Sequence, residues 1–471
     1  MELTNLTIAQ AHDKLTKKEF SAIELATAFL EKIGKEDKKI SAFLTLTRDL
    51  ALSQAKEIDD RILEGREISV LAGVPVAVKD NILVENVRCT AGSKILENYI
   101  APYDATVIKK LKSQGAVILG KTNLDEFAMG SSTENSGFFP TKNPHDLTRV
   151  PGGSSGGSAA TVAADLSVFA LGSDTGGSIR QPASFCGVAG LKPTYGAISR
   201  YGLIAFASSL DQIGPLTKTV EDCRIVFEAI SGKDELDSTS VESKISNFKF
   251  QISNLRIGVP KEYFIKGMEP EVERVIKAAI KKIENLGAEI EEISLPHAEY
   301  ALPCYYIIAP SEASANLARF DGIKYGYSQK AAKDLMEVYL QSREKGFGAE
   351  PRRRIMLGTY ALSAGYYEAY YKRAQKVRTL IKDDFQEAFE KVDLILTPVS
   401  PSVAFKLGEK ISDPLTMYLS DIFTIAINLA GLPALSLPCG KVNNLPVGLQ
   451  IIGNKFEEHK ILKVGEIFEK N

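Results

Sequence analysis

Two serines in glycine-rich loops, with a lysine upstream, are the residues of this chain best suited to covalent chemistry. Ser154 lies in the run GGSSGG at residues 152–157, Ser178 lies in the run SDTGGSIR at residues 173–180, and Lys79 ends an apolar run. Glycine lets backbone amides approach a ligand closely. A serine hydroxyl becomes a nucleophile when a neighbouring base takes its proton. The three side chains therefore suggest acyl transfer with a lysine, rather than a histidine, as the base.

Other interpretations of the glycine-rich loops fit the sequence less well. The string GGSSG matches the nucleophile elbow of α/β hydrolases, but that serine must follow a central strand, and residues 143–151 contain two prolines. An elbow enzyme also needs a downstream histidine, and His297 and His459 lie in polar surroundings without a motif. Neither loop ends in the Gly-Lys-Ser/Thr of a phosphate-binding loop. A purely structural turn leaves the recurring Ser, Asp and Thr unexplained.

Strands are predicted next to these residues. The apolar, β-branched run at residues 71–78 predicts a buried strand ending at Lys79. Residues 116–120 predict a second strand, and residues 167–172 predict a third that leads into the loop of Ser178. The lysine and the second serine are thus both expected at the ends of strands.

Helices are predicted directly after both serine loops, at residues 155–164 and 178–185. Each serine therefore lies near a helix start. The run TNLDE at residues 122–126 resembles a capping box and predicts another helix there. Residues 131–153 are rich in Ser, Gly, Pro and Asn and predict a loop.

Alternating strands and helices predict the α/β class for the whole chain. The first 60 or so residues show helical spacing of apolar side chains. Residues 233–254 are polar and weakly patterned, which suggests a surface connection. Because the alternation continues beyond them, with strands predicted at residues 256–260, 289–293 and 392–396, we expect one large domain spanning residues 1–471.

The bulk composition excludes several classes of protein. The 471 residues carry a formal net charge of −2 with 44% hydrophobic and 25% charged residues, which is typical of a globular protein rather than a strongly nucleic-acid-binding one. No apolar run is long enough for a membrane span, and no secretory signal is visible at the N-terminus. The five cysteines are scattered without paired spacing, which argues against a disulfide framework or a zinc site. We therefore expect a cytoplasmic protein.

The same motifs resemble the amidase signature family. The likeness rests on Lys79, on GGSSGGS at residues 152–158, on GSDTGGSIRQPA at residues 172–183 and on CGVAGLKPT at residues 186–194. It implies one large amidase-signature domain with a signature core at about residues 71–215 and a central, mostly mixed β-sheet flanked by helices. Further stretches resemble one branch, the glutaminase subunits of the glutamyl-tRNA(Gln)/aspartyl-tRNA(Asn) amidotransferases: residues 199–215, 358–363 and 420–424.

The resemblance implies a Ser–cis-Ser–Lys triad in which Ser178 is the nucleophile, Ser154 the bridging serine and Lys79 the base. It also implies a cis peptide bond before Ser154. Such a base is physically reasonable, since burial lowers the pKa of a lysine and favours the neutral amine. Backbone amides of the turn before the following helix are expected to form the oxyanion hole, supplied by Thr175, Gly176, Gly177 and Ser178.

The implied substrate is free glutamine, whose α-carboxylate and α-ammonium groups need an arginine and an acid as partners. The resemblance points to Arg354 and Asp421, with Tyr305 as a third contact. Arg353 could replace Arg354 through a shift of one residue. The tyrosines at 366, 367, 370 and 371, beside basic residues, could form a nucleic-acid face, although aromatic packing with a solvated basic flank is the simpler interpretation.

The branch also implies the partners of the chain. It implies a heterotrimer with the B and C subunits of the amidotransferase, in which misacylated tRNA is bound mainly through the B subunit. ATP and Mg²⁺ are expected in that partner, whereas no cofactor or metal is expected in this chain. The same triad fits a stand-alone amidase of small acyl amides, and a scaffold that has lost its chemistry is a third alternative.

Overall fold

One mixed sheet organises the part of the chain that the computed structural model describes, residues 3–242 and 251–471. Its eleven strands are β1 Phe43–Leu46, β2 Pro75–Lys79, β3 Val117–Thr122, β4 Phe169–Asp174, β5 Ala189–Lys192, β6 Gln212–Thr217, β7 Arg256–Pro260, β8 Glu289–Ile293, β9 Leu394–Pro398, β10 Ala434–Val442 and β11 Leu445–Ile452. The spatial order is β1-β3-β2-β4-β6-β5-β10-β11-β9-β7-β8.

Parallel pairing is confined to two groups of strands within this sheet. Strand β2 pairs in parallel with both β3 and β4, and β7 pairs in parallel with both β8 and β9. The other pairs are antiparallel. Because β2 and β4 run in parallel, their carboxyl ends, Lys79 and Asp174, lie at the same edge of the sheet.

Helices cover the sheet. They are α1 Ile8–Thr16, α2 Ala22–Ile40, α3 Arg48–Leu63, α4 Thr106–Ser113, α5 Gly156–Ala163, α6 Arg180–Cys186, α7 Val220–Ile230, α8 Pro270–Asn285, α9 Ala301–Asn316, α10 Leu335–Gly346, α11 Ala349–Leu362, α12 Arg373–Lys391, α13 Pro414–Tyr418, α14 Ile425–Ala430 and α15 Glu458–Lys470. None of the helices in the described ranges is long and apolar enough to cross a membrane.

The core lies around the central strands. Every residue of β2, β3 and β4 is buried, so both faces of this part of the sheet are covered. Helix α5 packs closely because it consists almost entirely of small residues. A Cβ atom on Gly157 would lie 2.7 Å from the backbone nitrogen of Asn123 and 2.8 Å from the carbonyl oxygen of Ala42. The small side chains therefore let the segment after Ser154 lie directly on the sheet.

The predicted fold class is confirmed: the protein is α/β, with a mixed sheet flanked by helices. The helical N-terminal segment is confirmed by α1, α2 and α3, although the short strand β1 interrupts it. The strands predicted at residues 256–260 and 289–293 have those bounds in the structure. The assignment of all 471 residues to one domain stays a prediction, and part of the connection expected at residues 233–254 lies outside the described residues.

One local prediction is wrong. The run at residues 122–126 does not open an α-helix: Thr122 ends β3, and only the 3₁₀ turn Glu126–Ala128 follows. The expected capping contacts are replaced by longer-range ones. The carboxylate of Asp125 accepts hydrogen bonds from the backbone amides of Thr133 at 2.8 Å and Asn135 at 3.1 Å. These bonds fold the loop back on itself and stop a helix from forming.

Candidate active site

Lys79 lies at the centre of a cluster of serines. Its Nζ atom is 2.8 Å from the Oγ atoms of both Ser154 and Ser155, and 2.9 Å from the Oγ atom of Ser173. The side chain is fully buried at the end of β2. The loop of Ser154 reaches it because α5 packs over the same end of the sheet. The structure thus brings together Lys79 and Ser154, which are 75 positions apart in the sequence.

The electrostatic surroundings favour a neutral lysine. Burial lowers the pKa of Lys79 from 10.5 to about 7, and the negative charges of Asp125, Asp174 and Asp211 only partly oppose this shift. The opposing effect of two of these acids is itself reduced, because burial raises the pKa values of Asp125 and Asp211 to about 6. At neutral pH a substantial fraction of Lys79 is therefore able to accept a proton.

The two predicted reactive serines differ in exposure. Ser154 is completely buried, whereas Ser178 is 7% exposed. The peptide bond between Gly153 and Ser154 is cis, as the resemblance implied. The backbone amide of Ser155 donates a 3.1 Å hydrogen bond to the carbonyl oxygen of Ser178, which holds the two loops side by side. Within the described residues no hydrogen bond joins the hydroxyl groups of Ser154 and Ser178.

The predicted oxyanion-hole residues form the turn between β4 and α6. The amide of Gly177 donates a 2.8 Å hydrogen bond to Asp174 Oδ1, so this donor is already occupied in the structure. The amides of Thr175, Gly176 and Ser178 have no acceptor among the described residues. Gly177 has a φ of +140°, which side-chain-bearing residues rarely adopt. Three of the four predicted donors are therefore free to meet a ligand.

Asp174 and Arg180 fix this turn. Their side chains form a buried, bidentate pair with distances of 3.0 and 3.1 Å. The guanidinium charge and its hydrogen bonds hold the pKa of Asp174 well below its ordinary value against the effect of burial. Arg180 also donates to Gln450 Oε1 at 2.7 Å and to the carbonyl oxygen of Thr424 at 3.1 Å. The turn is thus tied to β11 and to the start of α14.

Comparison with known proteins identifies the family of this chain. Residues 24–462 match the model of the Amidase family. The chain belongs to the amidase family. It is 60% identical, over 475 residues, to the A subunit of glutamyl-tRNA(Gln) amidotransferase from Carboxydothermus hydrogenoformans, and the match covers 100% of this chain and 98% of that protein. Within the amidases, this chain therefore lies among the A subunits of that enzyme.

Solved structures of the family share the fold. The crystal structure of the A subunit of glutamyl-tRNA(Gln) amidotransferase from Thermotoga maritima is 48% identical to this amidase, with a TM-score of 0.83, and the match covers 100% of this chain and 96% of that one. The peptide amidase of Stenotrophomonas maltophilia is 28% identical with a TM-score of 0.81, and the match covers 99% and 96% of the two chains. The fold of this chain is thus shared by an amidotransferase subunit and a peptide amidase.

The residues predicted to bind substrate lie beyond the serine loops of this amidase. Arg354, on α11, is 3% exposed and packs among the rings of Phe206, Tyr306 and Tyr418. Its Nε atom donates to Glu350 at 2.8 Å, and its terminal nitrogens have no hydrogen-bond partner in the described ranges. The side chain of Arg353, by contrast, is 41% exposed. Burial therefore distinguishes Arg354 from its neighbour.

Asp421 and Tyr305 complete this region. Asp421 is buried; its Oδ2 atom accepts a hydrogen bond from Ser131, and its Oδ1 atom has no partner among the described residues. Burial raises the pKa of Asp421 to about 7, and the charge of Arg354 partly opposes the shift. The ring of Tyr305 lies against the oxyanion turn, since a Cβ atom on Gly176 would be 2.8 Å from it.

Several residues of the site were not expected from the sequence. Ser155 and Ser173 both contact Lys79, and their only sequence signal is that they flank the same glycine-rich runs. Thr424 donates a 2.6 Å hydrogen bond to the carbonyl oxygen of Gly176, and Asn428 donates to Asp174 at 2.9 Å. Thr424 directly precedes α14 and ends the run at residues 420–424 that resembles the branch, but no role in the site was expected for it. Asn428 lies within α14, and no local pattern marks it.

Proposed function

We propose that this chain is the glutamine-hydrolysing component of a tRNA-dependent amidotransferase. The Oγ atom of Ser178 attacks the side-chain carboxamide of glutamine, the C–N bond breaks, and ammonia leaves a glutamyl ester on the serine. Water then hydrolyses the ester and releases glutamate. The observation that carries the proposal is a fully buried lysine with a pKa near 7, in contact with Ser154 beside the loop of Ser178.

The hydrogen bonds around Lys79 favour Ser154 as the relay. A neutral amine has two N–H donors and one lone pair. The Oγ of Ser155 donates its proton to the carbonyl oxygen of Ser173 at 3.0 Å, and the Oγ of Ser173 accepts from Asn81 at 2.9 Å. These two oxygens can take the N–H groups of the amine. We assign Ser154, whose Oγ contacts only Lys79 among the described residues and which lies beside the loop of Ser178, as the hydroxyl that gives its proton to the lone pair and takes one from Ser178.

The same relay returns the proton to the leaving group. Lys79, once protonated, passes the proton back through Ser154 to the departing nitrogen, so that ammonia leaves as a neutral molecule. The free amides of Thr175, Gly176 and Ser178 would stabilise the negative oxygen of the tetrahedral intermediate. Removal of one such donor typically costs about 2.7–4 kcal/mol of transition-state stabilisation.

Glutamine is recognised by the two buried charges beyond the serines. The free terminal nitrogens of Arg354 suit the α-carboxylate, and the unpaired Oδ1 of Asp421 suits the α-ammonium. A buried charged group that lacks a hydrogen-bond partner destabilises the folded protein, and a ligand that supplies the partner removes this cost. Tyr305, between this region and the oxyanion turn, lines the path of the side-chain carboxamide.

The chain works within a complex of several subunits. We assign its partners as the B and C subunits of the amidotransferase, with ATP, Mg²⁺ and most contacts to misacylated tRNA in the B subunit, where ammonia converts Glu-tRNA(Gln) to Gln-tRNA(Gln). We also assign the complex to the cytoplasm, because aminoacyl-tRNA is its substrate. A patch of exposed apolar side chains supports partner binding, since such patches commonly mark protein interfaces. Its residues are Met356, Leu357, Tyr360, Tyr366, Tyr367 and Tyr370.

Within this patch the tyrosine rings pack on one another. Tyr360 and Tyr366 have ring centroids 4.4 Å apart, and Tyr367 stacks on Tyr371 at 5.5 Å. This agrees with the aromatic packing that the sequence favoured over a nucleic-acid face.

Substitution of the nucleophile tests the proposal. In the assembled complex, Ser178→Ala should abolish amidation of Glu-tRNA(Gln) with glutamine but leave amidation with added ammonia intact, because the second reaction needs no glutaminase. Ser53→Ala, at an exposed serine of α3, should leave both activities unchanged. Persistent glutamine-dependent activity in Ser178→Ala would show that another group attacks.

A stand-alone amidase is the second candidate, and the likeness to a peptide amidase favours it. The two proposals differ in what the isolated chain can do. An amidase would hydrolyse simple acyl amides rapidly by itself and would gain nothing from partner subunits. The glutaminase of a complex should prefer glutamine and become faster when its partners are bound.

A further inference from the structure

A basic pocket lies outside the site described above. It has a volume of about 470 Å³ and lies between α12, the end of α14 and the turn after β11. None of its lining residues belongs to the proposed triad, the oxyanion turn or the glutamine contacts. Three cations line it, and no acidic residue does: Arg378, Lys382 and Lys455.

The three cations have no direct ion-pair partner among the residues that the structure describes. In the described part of the chain, no ion pair joins any of them to a carboxylate. Burial lowers the pKa of Lys455, and the charges of Lys382 and Arg378 lower it further, which shows that the cations are close enough to repel one another. The nearby carboxylate of Glu312 is held by the backbone amide and hydroxyl of Ser209. An anion in the pocket would relieve the repulsion.

The side chain of Arg378 is held in place by three hydrogen bonds. It is half-buried, and it donates to the carbonyl oxygen of Leu429 at 2.9 Å and to the Oγ and carbonyl oxygen of Ser209 at 2.9 and 3.0 Å. A guanidinium group has five N–H donors. Two donors of Arg378 therefore have no acceptor among the described residues.

An aromatic ring lies at the rim of this pocket. Phe456 directly follows Lys455, has a φ of +63°, and is 36% exposed. Its backbone amide is held by the hydroxyl of Thr194 at 2.9 Å. An exposed ring beside a cluster of cations is an arrangement on which a nucleobase can stack while its phosphate meets the cations.

We propose that this pocket binds a phosphate group through Arg378, Lys382 and Lys455. A carboxylate brings one negative charge and two oxygens, whereas a phosphate monoester brings nearly two charges and three acceptor oxygens. The three positive charges, reduced by the negative charge of the neighbouring Glu312, match the nearly two negative charges of a phosphate monoester better than the single charge of a carboxylate. The group is either free orthophosphate or the phosphate of a nucleotide whose base stacks on Phe456. This inference does not depend on the proposed glutaminase activity.

Calorimetric titration of the protein with orthophosphate and with adenosine monophosphate, at constant ionic strength, tests the proposal. Both probes should bind saturably to the wild-type protein. The double variant Lys382→Gln/Lys455→Gln should weaken both by at least about tenfold, because charge-assisted hydrogen bonds are lost. The matched control Lys376→Gln/Lys391→Gln removes two exposed lysines of α12 that do not line the pocket, and it should bind like the wild type.

A third variant distinguishes the two sources of phosphate. If Phe456→Ala weakens adenosine monophosphate and leaves orthophosphate unchanged, the ligand is a nucleotide; if it changes neither, the ligand is free phosphate. The proposal is overturned if neither probe binds saturably, or if the control loses as much affinity as the pocket variant. Binding of polyglutamate without binding of phosphate would also overturn it and would instead indicate an acidic protein segment.

Discussion

The turnover rate of glutamine hydrolysis should depend on one ionisation near pH 7, because Lys79 must be neutral to accept a proton. Its pKa falls from 10.5 to about 7 on burial. At pH 7, a lysine with the unshifted value would be neutral in only about one molecule in 3,000, whereas a value of about 7 makes about half of the molecules neutral. Burial thus increases the population of active base by about 1,600-fold.

The pH dependence of kcat, measured as ammonia release between pH 5.5 and 9, checks this expectation. The rate should fall by about tenfold per pH unit below about pH 6 and reach a plateau above about pH 8. Asp421 also has a pKa of about 7, but its charge is expected to act on glutamine binding and therefore on KM. The variant Asp421→Asn should accordingly keep the acid limb of kcat while its KM for glutamine rises.

The temperature dependence of the midpoint distinguishes an ammonium group from a carboxylic acid. An ammonium ion has a larger enthalpy of ionisation than a carboxylic acid, so the midpoint of the acid limb should move to lower pH as the assay is warmed. A midpoint that does not move with temperature would indicate a carboxylic acid. A midpoint near 10 would indicate a lysine with its ordinary pKa. Either result would refute the assignment of a neutral Lys79 as the base.

Three further substitutions test the substrate contacts and the oxyanion turn. Arg354→Gln should raise KM for glutamine by at least about tenfold, because a charge-assisted contact is lost. Arg353→Gln, at the exposed neighbour, should change KM less than about twofold. Equal effects of the two variants would contradict the assignment of Arg354. Arg180→Met should lower the free energy of unfolding, measured by urea denaturation, by about 3–5 kcal/mol, because it leaves the buried carboxylate of Asp174 without its ion-pair partner. A loss below about 1 kcal/mol would contradict this expectation. Gly177→Ala should lower kcat by at least about tenfold, because the added Cβ meets a neighbouring side chain and the φ of +140° disfavours alanine; unchanged kcat would show that the turn adapts.

Local patterns in the sequence predicted the strands and helices that carry the site. The apolar run before Lys79 is a central strand whose residues are all buried, so its pattern was strong and its end was well defined. The same holds for the strand that leads into the loop of Ser178. Two parallel neighbouring strands end at the same edge, and this geometry brings the lysine and the serine loops together. The surroundings of Lys79 and Ser178 could thus be predicted from local patterns, whereas the roles of these residues rest on the resemblance to the family and stay predictions.

The remainder of the fold could not be predicted because its determinants are distant in sequence. Strand β10 contains Pro438 and strand β11 contains Pro446, and a proline weakens the local signal for a strand. These two strands are defined instead by their pairing: they pair with each other, β10 also pairs with β5, and β11 also pairs with β9. The predicted capping box did not form for a similar reason: the carboxylate of Asp125 accepts hydrogen bonds from backbone amides of the following loop, up to ten residues away. Such contacts leave no periodicity in the sequence.

The turn of Ser178 is held from two directions, and both supports meet at Arg378. On one side, Thr175 donates to Asp211 at 2.7 Å, two residues beyond Ser209. On the other, Asn428 donates to Asp174 and directly precedes Leu429 in α14. Arg378 binds the carbonyl oxygens of both Ser209 and Leu429, and it also lines the basic pocket. A phosphate bound there would therefore contact the same guanidinium group that joins the two supports, so hydrogen bonds and short backbone segments together connect the pocket with the oxyanion turn.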